Sequence, residues 1–279
     1  FLVFFFFSNR QELVLPIKRG LSMLQIEILY EDEDLLVINK PAGVTVNRAE
    51  TTKNEITIQD WAAEKIGIKG QELTETENSF SSKDFDPKLD FYKRGGVVHR
   101  LDKETSGVLI LAKNPEAFVE LQRQFREREV KKVYIALAHG KLTPEEGEIN
   151  VPVGRLPWNK KQFGILPGGR ESKTVYKVLA YYKNPKDKES LSLVELYPYS
   201  GRTHQIRVHL KYIGHPIFAD FLYAGRKTAR KDRIVLERVF LHAAKITFLQ
   251  PSTKTELTLE SPLAPELKEL LKKMYNENA

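Results

Sequence analysis

The chain has no cysteine. That excludes disulfides, a thiol nucleophile and thiolate metal sites, and it fits a reducing cytoplasm. It has no apolar run long enough to cross a bilayer. The stretch FLVFFFF at residues 1–7 is far too short, and no positive residue precedes it as in a signal peptide. A Walker phosphate loop, GxGxxG, GxSxG and HExxH are all missing, so the sequence lacks the marks of nucleotide-driven enzymes, dinucleotide enzymes, serine hydrolases and zinc proteases. No internal repeat is present.

What is there suffices for a substantial core: 279 residues, 41% of them hydrophobic, one large domain or two small ones. With 14 Pro and 16 Gly the chain is not low-complexity. The net charge of +7 is unevenly placed. From Val97 to Arg230 there are 24 Lys and Arg against 14 Asp and Glu, while the remainder has 20 against 23. The basic excess in the middle suits a polyanion such as a nucleic acid, the plainer reading being a lysine-rich solvated surface. Met23 opens MLQIEILYEDEDLLVINKPAG, and the codons of Lys18-Arg19-Gly20 can spell a purine-rich ribosome-binding site. Residues 1–22 are therefore expected to be a non-native or disordered upstream extension, and residues 23–279 the folded domain.

Ile26 to Lys40 reads as a hairpin turning at Glu31–Asp34. Four consecutive acids there are expected to form a solvated turn rather than a metal site. Ile58 to Ile66 reads as a short helix. Gly67 to Gly96 is polar and reads as a long loop or insertion. Val97–His99 and Val108–Leu111 are expected to be buried strands flanking a loop. Asn114-Pro115 reads as a helix start, with Phe118, Leu121 and Phe125 as its apolar stripe. Strands follow at Val130–Ala138, Ile149–Val153, Thr174–Tyr182 and Leu191–Tyr197. A helix follows at Thr203–Tyr212, ended by Gly214. Phe240–Leu259 reads as a hairpin, and Pro265 opens a terminal helix that buries Leu267, Leu270 and Leu271. The expected class is α+β: a central, mainly antiparallel mixed sheet with flanking helices.

The run HRLDKETSGVLILAK from His99 sets Asp102 between Arg100 and Lys103. Asp102 is either a turn carboxylate capping its own backbone or a nucleophile or general base. To stay ionised in a closed site it needs a cation. Arg207 is the candidate, since a guanidinium can grip a carboxylate through two bonds; the plainer reading of Arg207 is a surface helix residue. Tyr134 is either core packing or a ring that stacks on a base. His204, His209 and His215 are five and six residues apart, spacings that do not bring imidazoles together on one helix, so no metal is expected.

These segments resemble the pseudouridine synthase family that modifies ribosomal large-subunit RNA and some tRNAs. The likeness runs from about Ile26 to the C-terminal hairpin. It rests on LLVINKPAGV at Leu35, HRLDKETSGVLILAK at His99, VYIALAHG at Val133 and SGRTHQIRVHLKYIGHPI at Ser200, in that order. The resemblance implies the family's catalytic fold with an RNA-binding cleft over residues 23–279. It implies Asp102 as the catalytic aspartate and Arg100 as the arginine that holds the target base out of its helix. Tyr134 would be the tyrosine that stacks on uracil and is implicated in proton removal from C5, and Arg207 the basic partner of the aspartate. Ile206 would pack against the site, with Arg202, His204 and Gln205 in support. No metal or cofactor is implied. The expected partner is RNA, ribosomal first and transfer RNA second, with no membrane and a monomeric state.

The sequence departs from the pattern twice. The small N-terminal RNA-binding domain of many relatives is not seen, and Ala219-Asp220 stands where the family usually has Gly-Asp. Two other classes compete: a non-catalytic RNA-binding or ribosome-assembly factor on the same fold, and a metal-dependent nuclease or phosphatase. An Asp102→Asn change separates the first, and chelator sensitivity marks the second.

Overall fold

The computed structural model describes residues 24–53, 55–68 and 87–277. Residues 1–22, expected to be an upstream extension, and residues 69–86 of the polar stretch lie outside them.

β1 (Glu27–Glu31) and β2 (Leu35–Lys40) pair antiparallel, as the alternating pattern leads one to expect. Asp32 closes their turn: its Oδ1 accepts from the backbone N–H of Asp34 at 2.8 Å and of Leu35 at 2.7 Å. The turn is not wholly solvated. Asp34 is buried and accepts from Asn114 Nδ2 at 2.9 Å and Gln250 Nε2 at 2.8 Å, which pins the turn to two distant segments.

β3 (Ser106–Ala112) is buried at every residue and pairs antiparallel with β2 from Leu35↔Ala112 to Lys40↔Gly107. A strand covered on both faces needs a continuous apolar run, and GVLILA supplies it. On its other side β3 runs parallel to β10 (Leu241–Leu249) at Ser106 and Gly107. Gly107 has φ +113°, and a Cβ there would lie 2.1 Å from the Ala243 carbonyl oxygen. Only glycine fits that close approach.

Among the described residues the main sheet has ten strands. Its path is β1-β2-β3-β10-β4-β9-β8-β12, with β11 (Glu256–Glu260) on β10 and β5 (Glu146–Asn150) on β8. Here β4 is Lys131–His139, β8 is Lys173–Lys183, β9 is Ser190–Pro198 and β12 is Tyr275–Asn276. Every pairing except β3 with β10 is antiparallel. A separate hairpin joins β6 (Val153–Leu156) to β7 (Asn159–Ile165).

Six helices flank the sheet among the described residues. α1 (Ile58–Ile66) starts in a capping box between Thr57 and Asp60 and ends at Gly67 with φ +84°. α2 is Pro87–Arg94. α3 (Pro115–Arg126) has the expected Asn114 cap and buries Phe118 and Leu121. α4 (Gln205–Tyr212) and α5 (Arg226–Asp232) precede β10, and α6 (Pro265–Lys272) buries Leu267 and Leu270. None of these helices is long and apolar enough to cross a membrane.

Four expectations change. Residues 87–94 of the polar stretch form α2 rather than loop. The strand expected over Ile149–Val153 breaks after Asn150, because Pro152 has no N–H for the ladder; β6 then starts the second hairpin. Val97–His99 makes only a single bridge, Val97↔Leu111. There the His99 Nε2 takes the Ile110 N–H, at 2.9 Å, that a strand carbonyl would otherwise accept. Helix α5 had no expected counterpart.

Three large apolar clusters form the core. One lies among β4, β8, β9, α4 and α6. The others cover the two faces of β2 and β3, one under α3 and one under α1. Tyr134 packs against the first and the third. It thus stands at the seam between the two halves of the molecule.

Candidate active site

Asp102 lies in the loop entering β3, and that loop is tied down on both sides. Lys40, fully buried at the end of β2, donates to the carbonyls of Pro41 at 2.7 Å, Val44 at 2.8 Å and Lys103 at 3.2 Å. The Gly43 N–H reaches the same Lys103 carbonyl at 2.8 Å. Glu104 Oε2 accepts from Arg233 Nη2 at 2.6 Å and from the Val239 N–H at 3.0 Å. Burial pushes the Lys40 ammonium down to about 7, with Arg238 adding to the shift and Asp102 opposing it.

The Asp102 side chain does not cap its own loop. Its Oδ2 accepts from Arg207 Nη1 at 3.0 Å, while Oδ1 accepts from no described residue. Its carboxylate is 18% exposed. The two-bond grip expected between Arg207 and Asp102 goes instead to Asp220. Arg207 Nε donates to Asp220 Oδ2 at 2.7 Å, and Nη2 to Oδ1 at 2.8 Å. Asp220 is wholly buried and also accepts the Leu222 and Tyr223 N–H groups at 3.0 and 3.2 Å. Arg207 is therefore no surface residue. Burial alone would lower its pKa, but Asp220 first and Asp102 second hold it above the usual arginine range.

Tyr223 backs the arginine. Its ring centre lies 5.0 Å from the guanidinium and 5.7 Å from Lys211 Nζ, so Arg207 and Lys211 do share a face of α4. The Tyr223 hydroxyl accepts the Phe163 N–H at 3.0 Å and bonds His204 Nδ1 at 2.8 Å. The other ring nitrogen of His204, Nε2, stands 3.8 Å from Asp102 Oδ2. Burial keeps His204 below the usual histidine pKa, against the pull of Asp102.

Tyr134 sits mid-β4, opposite Leu196 and Ala243. Its hydroxyl takes no hydrogen bond from a described residue. Burial and then the Asp102 charge push its pKa well above the usual tyrosine value, so it is a neutral phenol at neutral pH.

Asp102, Tyr134, Arg207, Arg100, Ile206, Arg202, His204 and Gln205 all line one cavity of about 80 Å³. They do not all present polar atoms to it. Gln205 is buried and committed to the scaffold: Oε1 accepts from Ser200 Oγ at 2.7 Å and the Arg202 N–H at 3.1 Å, while Nε2 donates to the Lys173 carbonyl at 3.0 Å. Ile206 is buried in the core. Arg100 is exposed at the mouth.

Sequence reading missed Asp220, Tyr223 and Lys40 as parts of this assembly. The signals were weak: an acid directly after the apolar HPIFA segment, and a lysine closing the apolar run LLVINK. The remaining histidines each have structural partners. His139 lies between Glu189 and Asp232, His209 bonds Thr174, His215 bonds the His139 carbonyl, and His242 bonds Ser106. Among the described residues no three His, Cys, Asp or Glu side chains gather as metal ligands.

A sequence model described as RNA pseudouridylate synthase matches residues 34–212. An uncharacterized RNA pseudouridine synthase of Helicobacter pylori is 34% identical over 262 residues, 94% of this chain and 73% of that one. Ribosomal large subunit pseudouridine synthase C of Vibrio cholerae is 35% identical over 248 residues, 88% of this chain and 69% of that one. Among solved structures, human RNA Pseudouridylate Synthase Domain Containing 1 superposes with a TM-score of 0.65 at 26% identity, covering 91% of this chain and 89% of that one.

Proposed function

We infer, from the fact that this chain belongs to the RNA pseudouridylate synthase family and is an isomerase of uridine in RNA, that its target is a specific uridine in structured RNA, ribosomal large-subunit RNA first and transfer RNA second. Relatives named as ribosomal large subunit pseudouridine synthases C and D support the first choice. A cytoplasmic monomer is part of this reading.

The observation that carries the site assignment is the arrangement around Asp102. One carboxylate oxygen is held by Arg207, and the other is left open to a cavity walled by Tyr134. In pseudouridine formation the C1′–N1 bond breaks, uracil turns, and C5 bonds to C1′. The route open to Asp102 is attack at C1′, attack at C6, or removal of a sugar proton, and Oδ1 is the atom placed for each. Arg207 keeps Asp102 ionised, and Asp220 orients Arg207 by taking its other two N–H groups. Tyr134 offers a ring face to uracil, and its neutral hydroxyl relays the proton leaving C5 by passing its own proton to water as it takes the new one. Arg100, at the mouth, is placed to hold the base once it has left its helix. Ile206 closes the apolar wall, and Arg202, His204 and Gln205 hold its frame. The isomerisation is redox-neutral, consistent with a sequence that has no nucleotide loop.

The test is tritium release from RNA labelled at uracil C5, using total rRNA and tRNA with wild type beside Asp102→Asn. Release by wild type from rRNA, with the variant inactive but still binding, is the expected result. Release from tRNA alone moves the target to the second class. An Asp102→Asn protein that still releases tritium removes Asp102 from the chemistry. No release by wild type from either pool favours the assembly-factor role.

A further inference from the structure

Beside the Asp102 cavity lies a second one of about 360 Å³. The two share Arg100, Tyr134, Ser200, Gly201 and Arg202 as walls, so they are chambers of one cleft. The second is lined by Arg94, Arg100, Arg126, Lys132 and Arg202, and by no acidic side chain among the described residues. Protein surfaces usually intersperse charges of both signs, and five cations around an acid-free hollow repel one another.

These cations are largely uncompensated. Arg94 is paired with Asp90 at 2.9 Å. Among the described residues the Lys132 ammonium donates only to the Ser200 carbonyl at 3.3 Å, and the Arg202 guanidinium only to the Glu171 carbonyl at 3.5 Å. Arg100 and Arg126 have no carboxylate partner among the described residues. Arg94 and Arg126 end α2 and α3, where the helix dipole favours a cation. That accounts for those two, not for Lys132 on a strand or Arg100 and Arg202 in loops. Burial is the main cause of the shifts of two groups here, and one neighbouring cation adds to each. Burial and then Arg128 bring Lys132 down to about 8. Burial and then Lys132 bring His99 down to about 3.

We propose that this second chamber seats a phosphodiester of the RNA strand next to the nucleotide whose base enters the Asp102 cavity, with Lys132 and Arg202 as inner cations and Arg100 and Arg126 at the rim. The proposal rests on the isomerase reading above. Lys132 and Tyr134 are two residues apart on β4 and so share one face of the strand. The phosphate-holding cation and the uracil-stacking ring are thereby fixed to each other by one rigid element. His99, stacked on Phe125 at 4.6 Å between centres, forms the uncharged wall of the chamber.

Lys132→Met and Arg126→Met test this, the second lying at the rim where folding is not at stake. The readout is the slope of log affinity for rRNA against log salt concentration, with Tm of the free protein and single-turnover rate at saturating RNA alongside. Each substitution is expected to flatten the slope by about 0.7 to 0.9, one phosphate contact. Tm should hold or rise, since a repelling charge is gone, and any loss of the saturating rate should be smaller than the loss of affinity. An unchanged slope overturns the proposal. So does a fall in the Tm of Lys132→Met with no change of slope, which makes Lys132 a structural residue. A Tm rise with inorganic phosphate at constant ionic strength, again with no change of slope, assigns the chamber to a free anion and overturns it too. Binding is read without turnover. A flattened slope with no tritium release from wild type therefore defeats the isomerase reading and not the phosphate seat, and release with an unchanged slope does the reverse.

Discussion

Arg207 divides its guanidinium unequally between two carboxylates, and the division separates fold from chemistry. Asp220 takes two bonds and is wholly buried; Asp102 takes one and is partly open. Breaking a buried pair leaves an uncompensated charge, which destabilises by about 3–5 kcal/mol. Asp220→Asn is therefore expected to lose stability on that order in urea unfolding and to lose turnover with it. Asp102→Asn, by contrast, should stay within about 1 kcal/mol of wild type, because only one partly exposed bond is weakened. Tyr134 poses a related question. The Tyr134 side chain is only half-buried and its hydroxyl bonds no described residue, so losing that hydroxyl costs the free protein little. Tyr134→Phe should match or slightly exceed wild type in Tm, bind RNA equally, and fall in turnover. A Tm loss comparable to a broken hydrogen bond would show that the hydroxyl is structural.

At the scale of elements, Lys40 matters most, because its ammonium holds the Pro41 and Val44 carbonyls just after β2 together with the Lys103 carbonyl of the Asp102 loop. Lys40→Met removes the donor to all three, a loss of about 1–3 kcal/mol, and should lower turnover more than RNA affinity as the loop loosens. The same variant carries a pH signature. The folded pKa of about 7 lies below the ordinary value of 10.5, so between them the unfolded chain binds more protons. Wild-type stability attributable to Lys40 then rises with pH from about 7 to about 10.5. Tm measured across that range should rise less in Lys40→Met than in wild type; parallel curves would contradict it. The elements themselves were readable where local rules act alone. The Asn114 cap, the Thr203–Tyr212 helix and the first hairpin follow from capping and periodicity. The strand expected at Val97–His99 did not form because a histidine ring replaced a backbone acceptor, a choice that no periodicity records.

Across the whole molecule, His139 joins three parts of the chain. It lies on β4 between Asp232 at the end of α5 and Glu189 before β9, at 2.9 Å from each. Burial alone would lower its pKa, but Asp232 and then Glu189 raise it above the ordinary histidine value. A group raised on folding stabilises fully below its unfolded pKa of about 6.5 and loses that contribution as pH climbs through the folded value. The Tm gap between wild type and His139→Gln is therefore expected to be widest below about pH 6.5 and to narrow above it. A gap that widens with pH would reverse the assignment. The direction is opposite to that of Lys40, so the two variants separate the two contributions.

The sequence by itself determined the α+β class, most strands and helices, the basic middle, and the residues Asp102, Tyr134 and Arg207 as a group worth testing. Those properties are local, set by caps, alternation and motif order. Only the tertiary structure decided that Asp220 takes the two-bond grip on Arg207, that Tyr223 backs it, that Lys40 ties down the Asp102 loop, and that Lys132 and Arg202 share a chamber without acids among the described residues. Each of these joins segments far apart in the chain; Asp102 and Arg207 alone are separated by 105 positions. Such contacts follow from how a ten-stranded sheet orders its strands and which faces it buries. A charged side chain reads the same in a sequence whether it ends in solvent or in a buried pair; packing alone tells them apart.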